Sequence, residues 1–425
     1  MASVLPFQPF QRPQVAVFAL VAIILVYFII NPATPPTTQW PNSGGETVAG
    51  DSKCSPADWS AGTWRRKENP TVVAKADDVY AAGGFDGCAS TCEPGFHLQH
   101  DHPEQFRWRG DVSAYEWVPA GSCGDVKTDF RESLLIDLVE RGGWLLIGDS
   151  LTEGHFFSIS CILYPHVIAT PDYSKNWWWD RAWPQHLHLN PDSPLVSRIK
   201  FPNGFNITQT PLVTYRRNDL LVNLTEIETM FNGGGWRPGP GENTKLFSDE
   251  LSWTISTTDY INDLFFRPLP EGNYHALIVN TAAHYSPGLF SGLPNGFTDI
   301  LDLFRVVMTN FVYQAGRQLD LQQQRDGKQR EVVVRDFQTG HDDCHSPETL
   351  SGGPLKEVPH ITTDKTYWAW FPIMNTILEK VVEERAHPRV TFLPIARPGR
   401  LRPEAHALGD CLHLTVGAGV EEGWT

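Results

Sequence analysis

The sequence predicts an α/β domain built on a parallel sheet with helices on both faces, and three observations predict it. Short apolar runs at Trp144–Ile147, Ala276–Asn280, Glu331–Asp336 and Arg389–Ile395 read as strands buried on both sides. Stretches at about 153–163, 299–325 and 365–386 read as helices, the second carrying Ile300, Leu303, Phe304, Val307 and Phe311 at helical spacing. Strands separated by helices rather than by tight turns suit parallel pairing, which needs long crossovers. With 41% hydrophobic residues among 425, the chain has ample material for a core.

Taken in order, the chain opens with a feature outside that domain. Val15 to Ile30 (VAVFALVAIILVYFII) contains no charge and no Gly. It is slightly shorter than the about 20 residues of a typical span, but Phe10 and the flanks extend it, and thin early-secretory bilayers accept short spans. A cleaved signal peptide is the competing reading. Against it, the apolar core is long, and Asn31-Pro32-Ala33-Thr34 is a poor small-x-small cleavage site. Arg12 precedes the segment and no basic residue follows until Lys53, so the positive-inside rule places residues 1–14 in the cytosol and the bulk of the chain in a lumen. One N-terminal transmembrane helix at 15–30, a type II signal anchor, is expected. Residues 31–53, rich in Pro, Thr, Ser and Gly, read as an extended stem.

Lumenal placement makes two further features coherent. Asn206-Ile207-Thr208 and Asn223-Leu224-Thr225 are N-glycosylation sequons, and seven cysteines suit an oxidising compartment. Cys54, Cys88, Cys92 and Cys123 all precede residue 124, which predicts a stapled, cysteine-containing N-terminal region in loop-rich residues 54–130. With Cys161, Cys344 and Cys411 the count is odd, leaving at least one thiol unpaired or paired to another chain, and the connectivity is not given by sequence. A Cys344–Cys411 bridge would tie the last loop to an earlier one. Residues 165–275, rich in Trp, Pro and Asn, read as long insertions decorating the sheet and as a place for substrate contacts.

Chemistry enters at two places. The strand at Trp144–Ile147 runs into Gly148-Asp149-Ser150, and open α/β sheets place ligands at the C-terminal ends of their strands. Near the end of the chain stands Asp410-Cys411-Leu412-His413, where one turn of chain lets a carboxylate hold an imidazole in one tautomer. Each signal alone has a bland reading: a Ser after a strand is commonly a helix N-cap, and an Asp and a His three apart are common on loops. Together they supply a nucleophile, a base and an orienting acid. The Gly-x-Ser-x-Gly elbow of α/β-hydrolases is absent, because Thr152 occupies its last position. The net charge of −15 argues against nucleic acid as a partner. Fifteen Trp and eleven Tyr offer rings for sugar faces, although core packing is the commoner use of such rings. His341-Asp342-Asp343-Cys344-His345 has the composition of a metal cluster, but an oxidising lumen favours Cys344 as a disulfide partner, and no metal is expected. Gly239-Pro240-Gly241-Glu242-Asn243-Thr244-Lys245 lacks a Gly before its Lys and follows no strand, so it is not read as a phosphate loop.

The ordered motifs resemble one family. Cys54-x₄-Trp59-x₄-Trp64, then Cys88 and Cys92, then Tyr115-Glu116-Trp117 and Cys123, lead to Ile147-Gly148-Asp149-Ser150-Leu151. His275-Ala276-Leu277-Ile278-Val279-Asn280-Thr281, Val333-Val334-Arg335-Asp336-Phe337 with His341, and Asp410-Cys411-Leu412-His413 with Gly417 and Trp424 complete the series. Over about residues 54–425 this is similar to the plant trichome-birefringence-like and PC-esterase family, a lumenal branch of the GDSL/SGNH superfamily. There are departures. Glu153 and Gly154 take the places of the family's Arg and Asn, Ala282 replaces a Gly, and the second cysteine after the terminal His is missing, which looks like a diverged member of fungal style.

The resemblance implies an SGNH-like fold with Ser150 as nucleophile, His413 as base and Asp410 as its orienter. It implies oxyanion or substrate contacts from Gly148, Asp149, Asn280, His284 and His341, with the Ser150 N–H as an oxyanion donor. The implied activity is an O-acetyltransferase in the Golgi membrane, moving an acetyl group onto a polysaccharide or glycan hydroxyl through an acyl-serine. An acetyl esterase, or a catalytically silent glycan-binding protein, is the alternative. No bound cofactor is implied. The acetyl donor, acetyl-CoA or a relayed acetyl group, acts as co-substrate, and a membrane partner could deliver it.

Overall fold

A computed structural model describes residues 54–75, 78–91, 111–121, 123, 130–175, 183–233, 245–359 and 367–425. The expected cytosolic tail, transmembrane anchor and stem lie outside the described residues, as do Cys92 and most of the glycine-rich stretch at 239–245. Among the described residues, no helix is long and apolar enough to cross a membrane.

A small antiparallel ribbon of β1 (Thr63–Arg66) and β2 (Tyr115–Val118) stands apart from the main sheet. After it come α1 (Arg131–Glu140), β3 (Gly143–Gly148), α2 (Ser150–Ile162), β4 (Val167–Thr170), β5 (Gln185–Leu189), β6 (Pro211–Arg217), α3 (Leu224–Asn232) and β7 (Tyr274–Asn280). The chain then forms α4 (Phe297–Asp326), β8 (Glu331–Arg335), α5 (Phe371–Arg385) and β9 (Val390–Leu393). The seven-stranded sheet has the order β4-β5-β6-β3-β7-β8-β9. From β6 to β9 every pairing is parallel, and β4 and β5 add an antiparallel edge. Mixed α/β architecture around a mostly parallel sheet is therefore the fold, as the four apolar runs predict.

Each central strand divides its side chains between two cores, as the two-residue period of a strand requires. Leu145, Ile147, Leu277, Val279, Val332 and Val334 join one cluster with Ile300, Leu303, Phe304, Val307 and Phe311 of α4 and Met374 and Leu378 of α5. Leu146, Val213, Tyr215, Ala276 and Ile278 join the other, with Leu135 and Leu138 of α1 and Phe156 and Ile159 of α2. Burying one such large apolar side chain contributes about 1.5–3 kcal/mol. α4 ends at Gly327 in the left-handed conformation, the usual stop for a helix that has run out of apolar face.

Two expectations need correction. Residues 165–275 are not merely insertions on the sheet, since they supply β4, β5 and β6, and β6 lies directly beside β3. In β5, buried Gln185, Leu187 and Leu189 alternate with half-buried His186 and His188. This strand is antiparallel to both its neighbours, β4 and β6, and it lacks the continuous apolar run by which central parallel strands announce themselves. The second correction concerns the cysteines. Cys54 pairs with Cys123 inside the N-terminal region, but Cys88 pairs with Cys161 on the last turn of α2, stapling that region to the main domain. Cys344 pairs with Cys411, as the tie between two late loops suggested.

Candidate active site

β3 ends at Gly148, and α2 begins two residues later. A side chain at 148 would collide with Thr152 Oγ1 and lie 2.7 Å from the Asn280 carbonyl, so glycine lets β3, β7 and the first turn of α2 meet. Asp149, not Ser150, is the N-cap: its Oδ1 accepts from the Leu151 N–H at 3.0 Å, and its carbonyl accepts from the N–H groups of Thr152 and Glu153. The cap is thus supplied by the neighbour, and the Ser150 hydroxyl is left for another partner.

That partner comes from the last loop of the chain. His413 Nε2 stands 2.6 Å from Ser150 Oγ, and His413 Nδ1 stands 2.6 Å from Asp410 Oδ2. Asp410 Oδ1 accepts from the backbone N–H of Leu412 at 2.7 Å and of His413 at 3.0 Å. Burial works to raise this carboxyl, but the bonds from His413 and the two backbone donors outweigh it and hold it well below the ordinary carboxylate range. Ser150, Asp410 and His413 are each half-buried, so the chain of bonds is in reach of solvent.

The loop after β8 holds the Asp410–His413 loop in place. The His341 N–H donates to the Cys411 carbonyl at 2.9 Å, Gln338 Nε2 donates to the Leu412 carbonyl at 3.2 Å, and the Cys344–Cys411 disulfide joins the two loops covalently. With its sulfur in that bond, Cys344 is not a thiolate ligand, although Cys344, His345 and Cys411 lie close enough to have suggested a metal site.

The remaining expected contacts divide. Asn280 is corrected as an oxyanion donor: its Nδ2 donates to the carbonyls of Arg335 and Asp336, both at 3.0 Å, which ties β7 to the end of β8 and commits its two hydrogens. Asp149 is fully buried and serves as the cap, so it is corrected as a substrate contact. Burial pushes its carboxyl upward, His284 offsets this in part, and Asp219 adds to the rise. Gly148 acts by its lack of a side chain. His341 is buried and bonded to His406 and to the Arg400 carbonyl, which removes it from the site surface. His284 stays in reach of the site, with Nε2 3.5 Å from Asp219 Oδ1 and its side chain 21% exposed.

Residues that the sequence did not single out complete the setting. At the end of β6, beside Gly148, Arg217 Nε donates to Asp219 Oδ1 at 2.8 Å, and the Arg217 guanidinium lies over the Trp253 ring at 4.5 Å. The Trp253 N–H donates to Asp219 Oδ2 at 2.9 Å. Burial works to lower the Arg217 guanidinium, and the Asp219 carboxylate and its acidic neighbours more than compensate. The signal for this cluster was Arg217-Asn218-Asp219 directly after an apolar run, hidden in a segment read as insertion. Half-buried Tyr367 and Trp368 lie on the same side, since Tyr367 feels the Asp149 charge and Trp368 packs over Gly340 next to the Cys411 carbonyl.

The two sequons fall on the surface of the domain. Asn206 Oδ1 accepts from the Thr208 N–H and hydroxyl. Asn223 is the N-cap of α3, and Asn223-Leu224-Thr225-Glu226 forms a complete capping box with Glu226. No protein-family model matches the chain, and no curated protein matches it.

Proposed function

We propose that this protein is an acyl-transferring serine enzyme, and specifically an O-acetyltransferase of the trichome-birefringence-like type, anchored in the Golgi membrane with its catalytic domain in the lumen. The observation that carries the reading is the unbroken chain Ser150 Oγ, His413, Asp410 with both bonds at 2.6 Å. A serine hydroxyl is a poor nucleophile without a base in contact and an acid orienting that base, and these three groups stand in that relation.

Ser150 Oγ attacks the carbonyl carbon of an acetyl donor as His413 Nε2 takes its proton. Asp410 holds Nδ1–H and stabilises the imidazolium. The oxyanion forms at the start of α2, where the Ser150 N–H takes no part in the Asp149 cap bonds and the helix dipole favours negative charge. His413 returns the proton to the departing thiol or alcohol, leaving acetyl-Ser150. A sugar hydroxyl then gives its proton to His413 and attacks the acyl carbon, and serine is restored. Trp253, Tyr367 and Trp368 beside the site supply aromatic faces suited to an acceptor sugar.

The test is intact-mass spectrometry of the full chain given acetyl-CoA or p-nitrophenyl acetate, with and without an acetyl-free oligosaccharide. An acetyl adduct on Ser150 that discharges onto sugar supports transfer, and discharge to water alone would make the protein an esterase. Absence of any adduct, together with unchanged cellular glycan acetylation in Ser150→Ala, defeats the enzyme reading.

A further inference from the structure

Behind the catalytic loop, two buried imidazoles stand end to end between two carbonyl oxygens. His341 Nε2 lies 3.0 Å from the Arg400 carbonyl, His341 Nδ1 lies 2.6 Å from His406 Nε2, and His406 Nδ1 lies 3.1 Å from the carbonyl of His413. Both rings are almost fully covered, at 8% and 1% exposure. The last contact matters most, because the His413 carbonyl belongs to the backbone of the base itself. That carbonyl also accepts from the Ala407 N–H at 2.9 Å, which closes the loop 407–413.

Counting protons along this line gives a definite result. A carbonyl oxygen only accepts, so each outer nitrogen must carry a hydrogen, and the central nitrogen pair must share one. That makes three hydrogens on two rings, whereas two neutral imidazoles carry two. With only two, one bare nitrogen lone pair faces a carbonyl oxygen about 3 Å away, which is repulsive. We propose that His341 and His406 are positioning residues for His413: the pair binds one extra proton, and in that state His406 fastens the catalytic loop through the His413 carbonyl. The inference rests on the acyl-serine reading for its effect on rate, though the proton count itself does not.

The pair titrates as a unit. The charged groups facing it are Arg400 and Asp342 around His341, and Asp410 and His345 around His406. Burial, first, and then mutual repulsion push the His406 imidazole down, and burial does the same for His341 against the help of the Arg400 carbonyl. Losing the extra proton bares either His341 Nε2 or His406 Nδ1, and the share of molecules that bares His406 Nδ1 lets go of the His413 carbonyl, so the fastening is complete in acid and weaker as pH rises.

The discriminating variant is His406→Asn, whose amide nitrogen takes the place of Nδ1 and donates to the His413 carbonyl at every pH. His406→Phe removes the donor altogether. With p-nitrophenyl acetate as probe and the full chain in detergent micelles, the kcat ratio of His406→Asn to the parent is about one in acid and rises above one as pH climbs through the titration of the pair, which burial places below the ordinary histidine range. His406→Phe is about tenfold slower than His406→Asn throughout, the order expected for one charge-assisted hydrogen bond, with KM little changed. A ratio that stays constant with pH overturns the proposal, because a merely structural role has no reason to follow protons. Nitrogen-15 spectra of the histidine-labelled full chain read the count directly: in acid the pair shows three protonated nitrogens, and two at every pH refutes it. If the parent never acylates Ser150, the enzyme reading fails, and the spectra still decide the proton count.

Discussion

Replacing Asp410 by Asn tests the candidate triad at its least visible member. The two oxygens of Asp410 have different jobs: Oδ1 accepts from two backbone N–H groups at 2.7 and 3.0 Å, and Oδ2 accepts from His413 Nδ1 at 2.6 Å. An asparagine has one acceptor oxygen and one donor nitrogen. Facing two backbone donors, the oxygen must stay in the Oδ1 place, so the NH₂ falls against His413 Nδ1. It then donates to Nδ1, and the imidazole carries its own hydrogen on Nε2, facing Ser150 Oγ. A base that already holds a proton there cannot take the serine's. The loss expected for such a tautomer inversion is about 10⁴-fold in the acylation rate, or about 5.5 kcal/mol. Release of p-nitrophenolate in the first turnover measures it, and the thermal midpoint checks that the variant is folded. If folded Asp410→Asn acylates within tenfold of the parent, Asp410 does not set the tautomer and the reasoning is wrong.

Two stability predictions follow from the ground beneath the site. In Gly154→Ala the new methyl meets the buried Glu421 carboxylate, and overpacking of that kind costs about 1–3 kcal/mol. Urea denaturation reads the loss, and an unchanged midpoint would show that Glu421 yields freely. Asp336, whose Oδ1 accepts from the Ile395 N–H at 2.8 Å, has its carboxyl pushed up to about 6, mainly by burial. Its folded value lies above the unfolded one, so its contribution is complete below about pH 4 and is lost as pH rises through about 6. Asp336→Asn keeps the acceptor and has no charge to bury, so its thermal midpoint gains on the parent's between acid and neutral pH. Parallel pH curves for the two proteins would contradict this.

What could be read from the sequence was whatever a one-dimensional pattern encodes. Trp144–Ile147, Ala276–Asn280 and Glu331–Asp336 are rich in apolar residues because β3, β7 and β8 lie between two cores, while Arg389–Ile395 shows because Val390 and Phe392 of the edge strand β9 face one of them. Ser150, Asp410 and His413 were legible as residue types at strand end and loop. β4 and β5 were not, because these partly exposed antiparallel strands carry His, Thr and Gln, which resemble loop composition, and the buried β6 was hidden by its polar Thr214, Arg216 and Arg217. Nor could the sequence say that Asn280 would turn its amide to the carbonyls of β8, or that Cys88 would reach Cys161, since those choices depend on which atoms lie within 3 Å in the folded chain. His406 gave no signal for the same reason: it matters only as the neighbour of His341, 65 residues away.

Glu153 and Gly154, where the chain departs from the motif it resembles, bear on whether the site is silent. Neither residue faces a substrate. Glu153 is buried and accepts from Gln185 Nε2 at 2.7 Å, which ties α2 to β5. Gly154 leaves a gap that the Glu421 carboxylate fills, and Glu421 in turn accepts from Ser158 Oγ at 3.4 Å. Burial raises Glu421 well above the ordinary carboxylate range, its neighbour Glu422 adds to this, and the buried Arg335 guanidinium opposes it. Arg335, stacked over the Trp424 ring at 3.8 Å, is the cation nearest this floor, and its charge also reaches Asp149. The acidic side chains on and under α2 are therefore met by an arginine from β8. Glu422 secures the same segment, accepting from the Gly417 and Gly419 N–H groups at 2.8 Å and from Ser158 Oγ at 2.8 Å. The two departures thus alter how the helix that begins at Ser150 is seated, and they leave the bonds of Ser150 and His413 intact. A glycan-binding protein that had abandoned catalysis would have no use for a carboxylate, an imidazole and a serine held in one hydrogen-bonded line, so these departures do not argue for silence.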